Sequence, residues 1–126
     1  MAEWIKAADS SDVKEGRGFR VRINGQDIAL FRHKGKVYAY ENACPHQGAP
    51  LHQSHILDGN IVCMYHGWQF NVESGDFFNN DLIKLKSFPV KENDTIIFIS
   101  VWTSIYIDDI IWTGYGFEIY SEIIGT

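Results

Sequence analysis

The sequence predicts an all-β fold, a sandwich or barrel of short antiparallel strands. Three features carry that expectation. Apolar and charged residues alternate with a period of two, as half-buried strands require. Clusters of Gly, Asn and Asp recur between the apolar runs as turn signals. A hydrophobic content of 45%, with 14% aromatic residues, supplies a packed core. At 126 residues the chain suffices for one compact domain and is short for two.

From the N-terminus, the polar stretch Ala8 to Glu15 reads as a short helical turn or loop that ends near Gly16 and Gly18. Phe19 to Ile23 alternates as a strand, Asn24-Gly25 is a type I′ hairpin signal, and Asp27 to Phe31 is the returning strand. A turn at Lys34-Gly35-Lys36 leads into Val37 to Tyr40, which completes a short meander. Glu41 to His55 contains Pro45, Gly48 and Pro50 and reads as an irregular loop. After a turn at Asp58-Gly59-Asn60, Ile61 to Cys63 is a short strand paired with Trp68 to Val72. Ser74-Gly75-Asp76 turns again, Leu82 to Val90 alternates loosely around Leu82, Leu85 and Phe88, and Glu92-Asn93-Asp94 turns into a buried strand, Thr95 to Trp102. No internal repeat or low-complexity linker is present.

Thr103 to Thr126 differs from the rest. It holds Asp108, Asp109, Glu118 and Glu122 with no Lys or Arg, so most of the net charge of −5 resides there. Its period is ambiguous: Ile105/Ile107 and Phe117/Ile119 suit strands, whereas Ile107/Ile111 also fits a helix. The division expected is 1–102 as the main domain and 103–126 as an acidic, aromatic-rich extension. So apolar a tail is expected to pack on the core, completing a sheet, or on another subunit. The acidic balance argues against nucleic acid as a partner and suits docking onto basic protein faces. No stretch approaches 18 apolar residues and the start lacks a signal-peptide pattern, which predicts a cytoplasmic protein without a membrane partner.

The chain has two cysteines, Cys44 and Cys63, and each has a histidine close by. Cys44-Pro45-His46 and Cys63-Met64-Tyr65-His66 are separated by the 16 residues Gln47 to Val62. Brought face to face, these segments offer two thiolates and two imidazoles, which a [2Fe–2S] cluster takes asymmetrically, two Cys on one iron and two His on the other. Pro45 and Pro50 stiffen one loop, while Gly48 and Gly67 permit sharp turns beside the ligands. Tetrahedral zinc accepts the same donors. Zinc fingers, however, usually pair Cys with Cys and His with His, and here each segment mixes the two; a zinc-stabilised interaction module is kept as an alternative. His52 and His55 read as solvated loop residues, with the rim of the site or a docking face as the second option, and His33 as structural. Tyr65 and Trp68 are expected to shield the site by packing, and Pro50 and Leu51 to serve either as an apolar docking rim or in loop packing.

Cys44 to Leu51 (CPHQGAPL), followed by Cys63 to Phe70 (CMYHGWQF), closely resembles the Rieske-type ferredoxin family, whose C-x-H … C-x-x-H pattern is highly specific. The resemblance runs from Trp4 to Trp102. It implies stacked antiparallel sheets with a small cluster-binding subdomain and one [2Fe–2S] cluster per chain. Cys44 and Cys63 would hold the buried iron, and His46 and His66 the outer one. It further implies a one-electron carrier between a reductase and a terminal oxygenase, not catalytic by itself. Respiratory relatives carry extra cysteines at the positions of Ala49 and Tyr65 and a serine, bonded to a bridging sulfide, at that of Trp68. Their absence here places the expected potential at the low end, about −150 mV. No second domain for a mononuclear iron is seen, which argues against a large oxygenase subunit. The nearer rival is the small subunit of an assimilatory nitrite reductase; some of those lack the ligands, whereas all four are kept here.

Overall fold

The computed structural model describes residues 2–45, 48–64, 67–77, 80–102, 105–107, 110–113 and 116–119, with the backbone alone at 2–3, 80–81 and from 102 onward. Strand β1 (Ala2–Asp9) leads through a 3-10 turn (Ser10–Asp12) into the meander β2 (Gly18–Ile23), β3 (Gln26–His33) and β4 (Lys36–Glu41). A second 3-10 turn (Leu51–Gln53) precedes the short strands β5 (His55–Leu57), β6 (Asn60–Val62), β7 (Gln69–Asn71), β8 (Asp76–Phe77) and β9 (Asn80–Lys84). Next come β10 (Ser87–Phe88), β11 (Val90–Glu92) and β12 (Ile96–Trp102), then β13 (Ile105–Ile107), β14 (Ile110–Thr113) and β15 (Gly116–Ile119). They form four sheets ordered β1-β12-β11, β10-β4-β3-β2, β5-β6-β7-β8-β9 and β13-β14-β15. The fold is therefore all-β and antiparallel, as the alternation predicts. Among the described residues no helix is long and apolar enough to cross a membrane.

Local chemistry explains the meander. Asn24 and Gly25 both take positive φ, 51° and 79°, which matches the right-handed twist of the flanking strands. The same two-residue geometry recurs at Lys34-Gly35 and Asp58-Gly59. At the next turn the Asn93 carboxamide oxygen accepts the N–H groups of Thr95 and Ile96, at 2.9 and 2.7 Å, and starts β12.

The β10-β4-β3-β2 sheet is covered on both faces. Alternation along β3 sends Ile28 and Leu30 into one core with Val37, Ala39, Ile97, Ile99 and Val101. Ala29 and Phe31 enter a second core with Tyr40, Leu51, Ile61, Phe70 and Val72. All four consecutive β3 residues are therefore fully buried, which is why this strand reads as a continuous apolar run. Tyr40 ties the second core together: its hydroxyl donates to the Val72 carbonyl at 2.6 Å, and burial pushes its ionisation well above the ordinary phenol range.

Three expectations need correction. Residues 2–9 form β1, so Ala8 and Asp9, read as part of a helical turn or loop, belong to a strand; its register slips between Lys6 and Ala8, and this bulge hides the period-two signal. Leu82 to Val90 is not one strand. Its residues fall in β9, β10 and β11, which belong to three different sheets, so Leu85 and Phe88 are buried while Leu82 is 89% exposed. The described tail residues lie in strands and not in a helix, and in none of the three other sheets. Among the described residues β13, β14 and β15 pair only with one another.

Candidate metal centre

Two loops carry the site, one after β4 and one between β6 and β7, and they share one backbone frame. In the first, Cys44 N–H donates to the Ala49 carbonyl at 2.7 Å, and the Cys44 carbonyl accepts the Gly48 N–H at 2.7 Å. In the second, Cys63 N–H donates to the Trp68 carbonyl and the Cys63 carbonyl accepts the Gly67 N–H, both at 2.8 Å. Gly48 and Gly67 close the frames with φ of 73° and 71°, a left-handed conformation that a side chain at either position would strain. Each frame encloses three residues, Pro45 to Gln47 in one and Met64 to His66 in the other. Histidine is thus second after the cysteine in the first loop and third in the second.

The structure brings Cys44 and Cys63 into one buried cluster with Ala49, Leu51, Phe70 and Val72, each cysteine being 1% exposed. His46 and His66, with Gln47 and Tyr65, lie outside the described residues. Pro45 and Met64, next to the buried cysteines, are exposed, as are Gly48 and Gly67, so each frame passes from a dry cysteine to solvent. Trp68 is half-buried and stacks on Phe77 at a centroid distance of 4.4 Å, with Phe70 beside both. Leu51 is fully buried, so it serves in loop packing and not as a rim. His55 is exposed on β5, and His33 is half-buried at the end of β3.

His52 departs from expectation. It is half-buried and bonded to Asn42, a residue that sequence reasoning passed over. Asn42 is 5% exposed, and its Oδ1 accepts the His52 backbone N–H at 2.8 Å. A backbone N–H only donates, so this bond fixes which end of the carboxamide is oxygen. Nδ2 then donates to Asp27 Oδ1 at 3.3 Å and to His52 Nδ1 at 2.9 Å, which leaves the ring proton of neutral His52 on Nε2. Asp27 in turn receives Arg20 at 2.8 and 3.1 Å, and the guanidinium holds its carboxyl below the usual range. The only sequence signal for Asn42 is its place two residues before Cys44.

The donor set fits a [2Fe–2S] cluster. Matched frames present a thiol at each base, and the apolar surroundings of both cysteines keep water from sulfur. A stacked antiparallel β fold with paired Cys/His loops defines the class of a cluster-binding domain. The chain belongs to the Rieske [2Fe-2S] domain family, whose family model matches residues 3–89, and its cofactor is accordingly a Rieske [2Fe–2S] cluster.

Among relatives, the chain is 33% identical over 90 residues to the ferredoxin component of an alkene monooxygenase system from Xanthobacter autotrophicus, which covers 71% of this chain and 74% of that one. It is 55% identical over 69 residues to 4β-methylsterol monooxygenase from Methylococcus capsulatus, covering 54% of this chain but 19% of that protein. In structure it is similar to the Sphingomonas yanoikuyae ferredoxin, with a TM-score of 0.69 and 25% identity over 77% of this chain and 97% of that one. A nitrite reductase small subunit from Mycobacterium tuberculosis superposes with a TM-score of 0.73 over 85% of this chain and 99% of that one; at 20% identity this shows the fold alone.

Proposed function

We propose that this chain is a one-electron carrier that accepts an electron from a reductase and delivers it to a terminal oxygenase, without being the catalyst. Cys44 and Cys63 would hold one iron of the cluster, and His46 and His66 the other. When bound, the cluster supplies a one-electron couple. The protein's part is to hold its ligands still and dry. The matched hydrogen-bonded frames at Cys44–Ala49 and Cys63–Trp68 carry this reading. They fix the backbone at the cysteine and the glycine of each loop, and a fixed ligand base suits a couple that changes shape little between redox states. Leu51 and Phe70 exclude water beneath the cysteines. Similarity to ferredoxin components over most of their length supports the carrier role.

The purified protein is expected to show visible absorption that bleaches with dithionite, and an EPR signal in the reduced state. Cys44→Ser and Cys63→Ser should each abolish both. A colourless wild-type protein, EPR-silent after reduction, would end the reading. Turnover reconstituted from a reductase, this protein and an oxygenase tests the direction of electron flow.

The 55% identity to 4β-methylsterol monooxygenase favours a second reading, in which the same domain is the electron-input part of an oxygenase. Substrate oxidation by the native protein with only a reductase added would favour that reading; dependence on a separate oxygenase favours the first.

A further inference from the structure

The two loops share a hydrogen-bonded frame but not a neck. The second is closed by a β ladder, with Asn60, Ile61 and Val62 paired to Asn71, Phe70 and Gln69. The first leaves β4, which pairs with β3 and β10, and re-enters the fold through the 3-10 turn at Leu51–Gln53. Among the described residues no ladder joins its two ends. Asn42 stands where that ladder would be. It lies two residues before Cys44, and its Oδ1 and Nδ2 hold the backbone and ring of His52 on the far side of the loop. Its own N–H donates to the Asp27 carbonyl at 2.9 Å, and Nδ2 also reaches the Asp27 carboxylate, so both ends are anchored to β3.

We propose that Asn42 is the positioning residue of the first loop, a side-chain clamp that replaces the missing ladder and holds Cys44 in register with Cys63. This rests on the cluster-bearing role proposed for that loop. One buried carboxamide closes the neck with two side-chain bonds to His52 and anchors it with a third to Asp27, whereas the second loop spreads the same task over two strands. Loss of Asn42 therefore loosens one half of the site and leaves the other half in place.

The test compares Asn42→Ala, and the milder His52→Ala that keeps the backbone bond, with wild type and with Ile97→Val. Ile97 lies in the core away from the loops, so its variant reports loss of stability alone. In the holoprotein, Asn42→Ala is expected to release iron to a chelator about tenfold faster and to broaden the EPR lines of the reduced state. His52→Ala should change both in the same direction by less. Amide hydrogen exchange, which needs no cluster, should rise at the Cys44 and Gly48 amides and stay unchanged at Cys63 and Gly67. Wild-type exchange at Cys44 and Gly48 in both variants would overturn the clamp, as would Ile97→Val matching the iron release and line broadening of Asn42→Ala. A wild-type protein that binds no cluster would overturn the carrier role instead, and the exchange measurement would still decide the clamp.

Discussion

Arg32 uses all five of its guanidinium N–H donors. Nε donates to the Val13 carbonyl at 2.9 Å, the terminal nitrogens reach the Gly35 and Ser10 carbonyls at 2.8 and 3.0 Å, and Glu92 is held bidentately at 3.2 and 2.7 Å. With side chains 16% and 22% exposed, the Arg32–Glu92 pair is better shielded than a surface bridge. A lysine cannot match that fork. Arg32→Lys is expected to cost about 1–3 kcal/mol, read from urea denaturation. Glu92 is held below its ordinary value of 4.5, chiefly by the Arg32 bond. The contribution is therefore complete above that value and is lost as pH falls through the lower, folded one. Glu92→Gln should flatten the stability curve below about pH 4.5, and an acid limb as steep as that of wild type would contradict this. The resemblance implies a low potential, because Trp68 stands at the position where respiratory relatives carry a sulfide-bonding serine. Redox titration should give a midpoint near the low end, about −150 mV, and a value above roughly +100 mV would refute the argument. The cysteines are legible in the sequence because ligands carry their own chemistry. Asn42 and Arg32 are not, because their partners lie 10 and 60 residues away.

At the scale of elements, β2 lies tightly against the 3-10 turn after the first loop, at Gly18. A Cβ on Gly18 would sit 2.5 Å from the His52 carbonyl oxygen and 2.7 Å from its Cα, both backbone atoms that cannot swing aside. Gly18→Ala is expected to cost about 1–3 kcal/mol, seen as a lower thermal midpoint; an unchanged midpoint would show that the turn can retreat. The meander and its turns were readable because positive-φ dipeptides and alternation are local. Residues 80–92 were not. Leu82, Leu85 and Phe88 recur every three residues as the chain passes through three sheets, and such a change of sheet has no local signature. The bulge in β1 hides its strand for a similar reason, since one extra residue breaks the alternation.

For the molecule as a whole, the strands of 2–102 form three sheets around two cores, and the tail strands make a sheet of their own. We propose that 1–102 is the cluster-binding domain and 103–126 a separable extension. A chain shortened after Trp102 should stay folded and coloured, and a colourless or unfolded product would show that the extension belongs to the domain. The family match ends at residue 89, before β11 and β12, yet β12 is the middle strand that β1 and β11 flank. By itself the sequence determined the family-defining Cys/His pattern, the turns and the all-β class, because motif chemistry and φ preference reside in single residues and short windows. Only the tertiary structure decided that the central sheet is buried on both faces, that Leu51 is core, and that the two cysteine loops share a hydrogen-bonded frame while differing at the neck. Those properties come from contacts between residues distant in the chain, and alternation along one strand cannot say what covers each face.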